Sequence, residues 1–177
     1  MPLAEFRFKK LHRINVLSRR NCRLSAHQDP SDATLKEIYS KYKNVAIIGL
    51  SDNPSRPSYV VAEYLKNHGF NIIPVNPFVA EVLGERSYKS LMEMPIEIQE
   101  TVEIADIFRR SEEVFPIVEQ AVQLKKSRGI PHVVWMQLGV VNEQAAESAQ
   151  EAGLTVVMDK CIRLEHQRLY GGNRRSE

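Results

Sequence analysis

The sequence predicts a single doubly wound α/β domain, in which a parallel sheet of five strands is covered by helices on both faces. Two observations predict it: five short apolar runs recur along the chain, and amphipathic segments of helical period lie between them. Alternating strand and helix joined by right-handed crossovers leave parallel pairing as the only simple arrangement. The length of 177 residues fits one domain. A chain of this size buries roughly 70% of the surface its unfolded form exposes, so it needs no disulfide or metal to fold.

The first regular element is a helix over residues 31–42, with Leu35, Ile38, Tyr39 and Tyr42 on one face and Ser31 as N-cap. The first strand is residues 45–50, an unbroken apolar run that suits burial on both faces. Four further strands are expected at 70–75, 102–108, 132–138 and 154–158. Helices are expected at 58–68, where Val60, Val61, Tyr64 and Leu65 recur, and at 113–127, where Ile117, Val118, Ala121 and Val122 do. A third, at 142–152, carries Ala145, Ala146 and Ala149. Gly69, Gly129 and Gly153 stand where these helices should stop, with Pro131 as a further stop signal. A shorter helical piece is expected within 87–94.

Residues 1–30 read differently. Arg7, Lys9, Lys10, Arg13, Arg19, Arg20 and Arg23 face a single acid, Glu5, within the first two dozen positions, and Leu11, Ile14 and Leu17 fall on a helical spacing. The pattern resembles a mitochondrial transit segment; the other reading is a disordered basic arm or upstream sequence translated from a wrongly chosen start. Either way it is left out of the fold, which spans 31–170 and is followed by a flexible tail at 171–177. Cys22 and Cys161 show no metal-ligand spacing, which favours a reducing compartment, the cytoplasm, with the mitochondrial matrix as the alternative. A net charge of +2 argues against nucleic acid as a partner, and no apolar run approaches membrane-spanning length.

In a sheet of this kind ligands lie beyond the carboxyl ends of the strands, near the point where strand order reverses. The loop after the first strand runs from Gly49 to a helix starting near Pro57, a favourable first residue. The free N–H groups of that helix end form an anion site, to which Ser51, Ser55 and Ser58 add hydroxyls and Arg56 a charge. Serine and proline are also what any strand-to-helix turn contains. The loop lacks the GxGxxG glycines, having Ser51 and Pro54 instead, and the second strand ends on neutral Asn76, where an NAD site places an acid. Asn76 tolerates an adenosine with a 3′-phosphate, which an acid would repel.

Arg109 and Arg110 follow the third strand, with Ser111 as an expected N-cap; these arginines attract phosphate, or simply offset Glu112 and Glu113. Gln137 and the backbone near Gly139 end the fourth strand within reach of a ligand, whereas Trp135 reads as core. The last loop holds Cys161 and His166. A cysteine nucleophile with a histidine base is conceivable there, but five residues separate the two and they would not share a helix face.

Several strings in order resemble the small stand-alone CoA-binding domain proteins: Gly49-Leu50-Ser51, Arg56-Pro57-Ser58-Tyr59, Ile73-Pro74-Val75-Asn76-Pro77, Phe108-Arg109-Arg110, Trp135-Met136-Gln137-Leu138-Gly139, Ala152-Gly153, Asp159-Lys160-Cys161 and Glu165-His166. That family is similar to the CoA-binding domain of the succinyl-CoA synthetase alpha subunit. The resemblance implies a Rossmann-like fold with coenzyme A or an acyl-CoA across the carboxyl edge of the sheet. It implies that Gly49, Ser51, Arg56, Ser58 and Tyr59 hold the phosphates and that Asn76 and Pro77 sit near the adenosine. Phe108, Arg109 and Gln137 would then line the groove toward the pantetheine arm. The synthetase carries its phosphorylated histidine on a second domain, which this chain is expected to lack. The expected function is therefore a non-catalytic CoA-binding module, acting alone, as a homodimer or with a protein partner. The alternatives are a small NAD(P)-linked oxidoreductase and a CoA-thiol redox protein using Cys161.

Overall fold

The computed structural model describes residues 30 to 171; the basic segment and the tail expected at the two ends lie outside them, apart from Pro30 and Gly171. Helix α1 (Asp32–Lys41) is capped by Ser31, whose hydroxyl accepts from the Thr34 amide. Strand β1 (Asn44–Ile48) leads into α2 (Pro57–Asn67), β2 (Asn71–Val75) and a two-stranded hairpin, β3 (Glu81–Val82) with β4 (Glu85–Arg86). A short helix α3 (Ile96–Gln99) precedes β5 (Ile104–Ile107), a 3-10 turn (Ser111–Glu113) and α4 (Val114–Arg128). Strand β6 (Val133–Met136), α5 (Glu143–Glu151), β7 (Thr155–Val157) and α6 (Ile162–Tyr170) complete the order.

Five strands form one sheet in the order β2-β1-β5-β6-β7, every pair parallel. Strand order therefore reverses between β1 and β5. The central strands are buried on both faces, which is why they read as unbroken apolar runs. Strand β2 is an edge, and Pro74 is tolerated there because an edge strand need not donate on its outer side.

Alternate residues divide the core. Ala46, Ile48, Ala105, Ile107, Val134 and Met136 pack with Val118, Ala121 and Leu124 of α4 and with Ala145, Ala146 and Ala149 of α5. Val45, Ile47, Ile104, Val133 and Trp135 pack on the other face with Leu35, Ile38 and Tyr39 of α1, Val61, Ala62 and Leu65 of α2, and Ile162 of α6. Helix α4 stops at Gly129, whose φ of 79° is a left-handed cap that costs a glycine little.

Two local expectations fail. Residues 87–94 form turns and an isolated bridge from Tyr88 to Val75, not a helix. Tyr88 donates its amide to the Pro74 carbonyl and accepts from the Asn76 amide, so this segment spends its backbone bonds on the sheet edge. Ser111 is not an N-cap either, because Arg110 holds that position and the Ser111 hydroxyl accepts from the Val141 amide instead.

Candidate functional site

The loops leaving β1, β5, β6 and β7 enclose an open cavity of about 840 Å³ at the carboxyl edge of the sheet, beside the β1/β5 reversal. That size is within the ordinary range of small-molecule sites. The cavity brings together Gly49, Ser51, Arg56 and Ser58 from the first loop, Phe108, Arg109 and Arg110 from the second, Gln137, Leu138 and Val140 from the third, and Cys161 and Leu164 from the last.

The floor of the loop after β1 is built by Gly49. Its φ is 89°, and a Cβ there would collide with the Phe108 carbonyl oxygen, so the loop can lie against β5 only as glycine. The Ser51 amide donates to Ser58 Oγ at 3.1 Å and the Ser51 hydroxyl accepts from the Asn53 amide at 3.2 Å. These hydroxyls therefore brace the turn. Helix α2 opens with Arg56 as N-cap and Pro57 as its first residue; no side chain caps it and no acid stands in its first turn. That leaves the positive end of an eleven-residue helix directed at the cavity, with three arginines against one acid, Glu113, among the lining residues.

The opposite rim is apolar. Leu138 is 65% exposed and Leu164 47%, an unusual exposure for leucines, and both line the cavity. Their loops are latched to each other: the Gly139 amide donates to Asp159 Oδ1 at 2.6 Å, and Trp135 Nε1 donates to the Lys160 carbonyl at 2.6 Å. Trp135 is fully buried, as expected of core.

Not every expected contact residue reaches this space. Tyr59 is half-buried and packs against the core on the α2 side. Asn76 donates from Nδ2 to the Leu50 carbonyl at 2.8 Å and accepts on Oδ1 from the Phe78 amide at 3.0 Å, so it ties the second loop to the first. Pro77 lines a smaller neighbouring cavity of about 250 Å³ with Lys89, Ser90 and Leu91, and Arg109 and Glu113 border both cavities.

A polar pair beneath the third and second loops was not anticipated. Asp106 lies in β5 in register with Ile47 and Trp135 and has no exposed surface. Its Oδ1 accepts from Gln137 Nε2 at 2.7 Å, while Oδ2 has no partner. Burial pushes its carboxyl up to about 8, against the opposing pull of the Gln137 and Ile107 hydrogen bonds. An acid inside the apolar run Ile104-Ala105-Asp106-Ile107 was the available signal.

Cys161 and His166 do not converge. Cys161 faces the cavity, whereas His166 Nδ1 pairs with the Tyr64 hydroxyl at 2.9 Å and its ring packs among Tyr39, Phe70 and Tyr170. Burial, then His68 and Lys43, lower the His166 imidazole from its ordinary value. Among the described residues no cluster could hold a metal ion and no helix is long and apolar enough to cross a membrane.

The family model described as a CoA binding domain matches residues 43–167, which include every loop of the cavity. The chain belongs to the CoA-binding domain family. It is 40% identical over 139 residues to the uncharacterized protein YneT of Bacillus subtilis, an alignment covering 78% of this chain and 96% of YneT. A hypothetical protein from Pyrococcus horikoshii of known structure superposes with a TM-score of 0.72 at 34% identity, covering 82% of this chain and 99% of that one. A 67-residue stretch is 37% identical to an ADP-forming acetate–CoA ligase of Methanocaldococcus jannaschii, covering 38% of this chain and 9% of the ligase. The family membership agrees with the five-stranded parallel sheet and with the resemblance read from the loop motifs.

Proposed function

We propose that this protein binds coenzyme A or an acyl-CoA in the 840 Å³ cavity and acts as a binding module without catalysing a reaction itself. The observation that carries this reading is the joining of two unlike surfaces in one cavity: an uncapped helix end with arginines, and an apolar rim. Coenzyme A has the same division, an anionic nucleotide with a long neutral pantetheine arm. The phosphates would meet the first turn of α2 with Arg56 and Arg109, the adenosine would lie toward Pro77, and the arm would pass Phe108 and Gln137 between Leu138 and Leu164. Supporting a binding role over catalysis, the His166 ring nitrogen Nδ1 is engaged with the Tyr64 hydroxyl and not with Cys161. The free thiol of Cys161 fits a reducing compartment, and we assign the protein to the cytoplasm.

A thermal-shift panel with CoA, acetyl-CoA, dephospho-CoA, NAD and NADP tests the reading. Ligand at about 100 times its dissociation constant adds roughly 2.7 kcal/mol of stability. CoA and acetyl-CoA should raise the melting temperature, and dephospho-CoA should raise it less. Unmoved curves with both CoA ligands reject the proposal, and a shift with NAD or NADP alone favours a dinucleotide enzyme. One observation favours a second reading: Cys161 lines the cavity. Its thiolate could attack a CoA disulfide, forming a protein–CoA disulfide and releasing one CoA thiol. Mass spectrometry of wild type and Cys161→Ser after exposure to CoA disulfide separates the two readings.

A further inference from the structure

The Asp106–Gln137 pair is costly as pure structure. A carboxyl with no exposed surface and one unpartnered oxygen sits between Ile47 and Trp135, where an apolar side chain would pack without that penalty. Asp106 is not among the residues lining the cavity; its one side-chain partner, Gln137, is. A glutamine amide is planar, with a donor end and an acceptor end. Once Nε2 is held by Asp106 Oδ1, the direction of Oε1 is set as well.

We propose that Asp106 is a positioning residue: by holding Nε2 of Gln137 it turns Oε1 toward the cavity, where that oxygen accepts a hydrogen bond from an amide N–H of the pantetheine arm. This rests on the CoA reading above and adds to it the element that recognises the arm separately from the nucleotide. The arm carries two secondary amides, and the Leu138 and Leu164 side chains proposed to flank it offer them no partner. Gln137 is 4% exposed, so a misdirected amide there would present an unmatched donor to the ligand amide. The 2.7 Å hydrogen bond from Nε2 to Asp106 Oδ1 is what selects the amide orientation that presents Oε1.

Calorimetry on the full chain with CoA and with adenosine 3′,5′-bisphosphate, which lacks the arm, tests this. Gln137→Met and Asp106→Leu should each weaken CoA by about tenfold, the loss of one net hydrogen bond. Both should leave the bisphosphate unchanged. The double variant should bind CoA no worse than Gln137→Met alone, because the acid acts only through the glutamine. Asp106→Asn, which keeps an acceptor oxygen at the same place, should restore most of the affinity. Equal loss for both ligands, no loss for CoA, or additive losses in the double variant would overturn the proposal. A wild-type protein that binds neither ligand overturns the CoA reading itself. Should Asp106→Leu fail to fold, amide exchange in the wild type decides: the Gln137 side-chain protons, assigned by their disappearance in Gln137→Met, should exchange slowly in the free protein, and exchange at the rate of an exposed amide overturns the proposal.

Discussion

Gln99 on one face of the sheet and Asp106 on the other are both buried polar side chains, and their surroundings treat them in opposite ways. On the α4 side Gln99 is satisfied at both ends: Nε2 donates to the Leu91 and Met92 carbonyls at 3.3 and 3.1 Å, and Oε1 accepts from Arg128 Nε at 3.0 Å. On the α1/α2/α6 side Asp106 keeps one oxygen without a partner and shares the other with a cavity residue. The first arrangement closes a loop over the core and asks for no ligand. The second leaves a buried oxygen unpaired and ties the carboxyl to a residue that lines the cavity. The fully buried residues of the α4/α5 core are aliphatic or methionine, whereas Tyr39, Phe70 and Trp135 are buried on the other face.

The two faces should therefore separate stability from binding. The largest effect is expected on the structural face. Leu124→Ala, at a fully buried site in α4, should cost about 3 kcal/mol through lost burial and the cavity left behind, with the CoA dissociation constant unchanged. Urea unfolding with parallel calorimetry checks it, and a loss of affinity would show the faces to be coupled. Gly49→Ala comes next, at about 2 kcal/mol or more for a side chain at positive φ pressed against the Phe108 carbonyl. Unlike Leu124→Ala, it should also abolish CoA binding.

The pH dependence of stability distinguishes the two polar groups. Asp106 is raised to about 8 in the folded protein, above the ordinary carboxyl value of the unfolded chain, so the folded state holds a proton that the unfolded state releases. Its contribution is complete below about pH 4, declines as the pH rises, and is lost by about pH 8. His132 and His166, both lowered by burial, act in the opposite sense, their contributions being lost as the pH falls through the ordinary imidazole value. Urea midpoints from pH 4 to 9 for wild type and Asp106→Asn should therefore diverge steadily with pH, the wild type falling relative to the variant. Parallel curves would place Asp106 in a less costly environment than its burial indicates. The smallest effect on stability belongs to Arg56→Ala: within about 0.5 kcal/mol of wild type, because its exposed side chain caps nothing. It should nonetheless weaken CoA about tenfold, or ~1.4 kcal/mol, with a shallower dependence on salt.

How much of this was legible beforehand follows from the range of the forces involved. Strand and helix order, the Ser31 cap and the start of α2 at Pro57 depend on residues within one turn or one strand of each other, and the periodicity of burial and the capping residues record them directly. The hairpin β3–β4 and helix α6 were missed, the first because strands of two residues carry no period, the second because among the helical residues only Ile162 is buried. The short helix expected within 87–94 gave way to backbone bonds with Pro74 and Asn76, a tertiary demand invisible along the chain.

By itself, then, the sequence determined the alternation of strands and helices, the doubly wound class and the loops that could hold an anion, because spacing and capping are local. Only the tertiary structure decided that β5 and β6 lie side by side so that Asp106 meets Gln137, that His166 turns to Tyr64 instead of Cys161, and that Asn76 spends its amide on Leu50. Each of those is a contact between residues at least 26 positions apart, set by strand order and not by spacing along the chain.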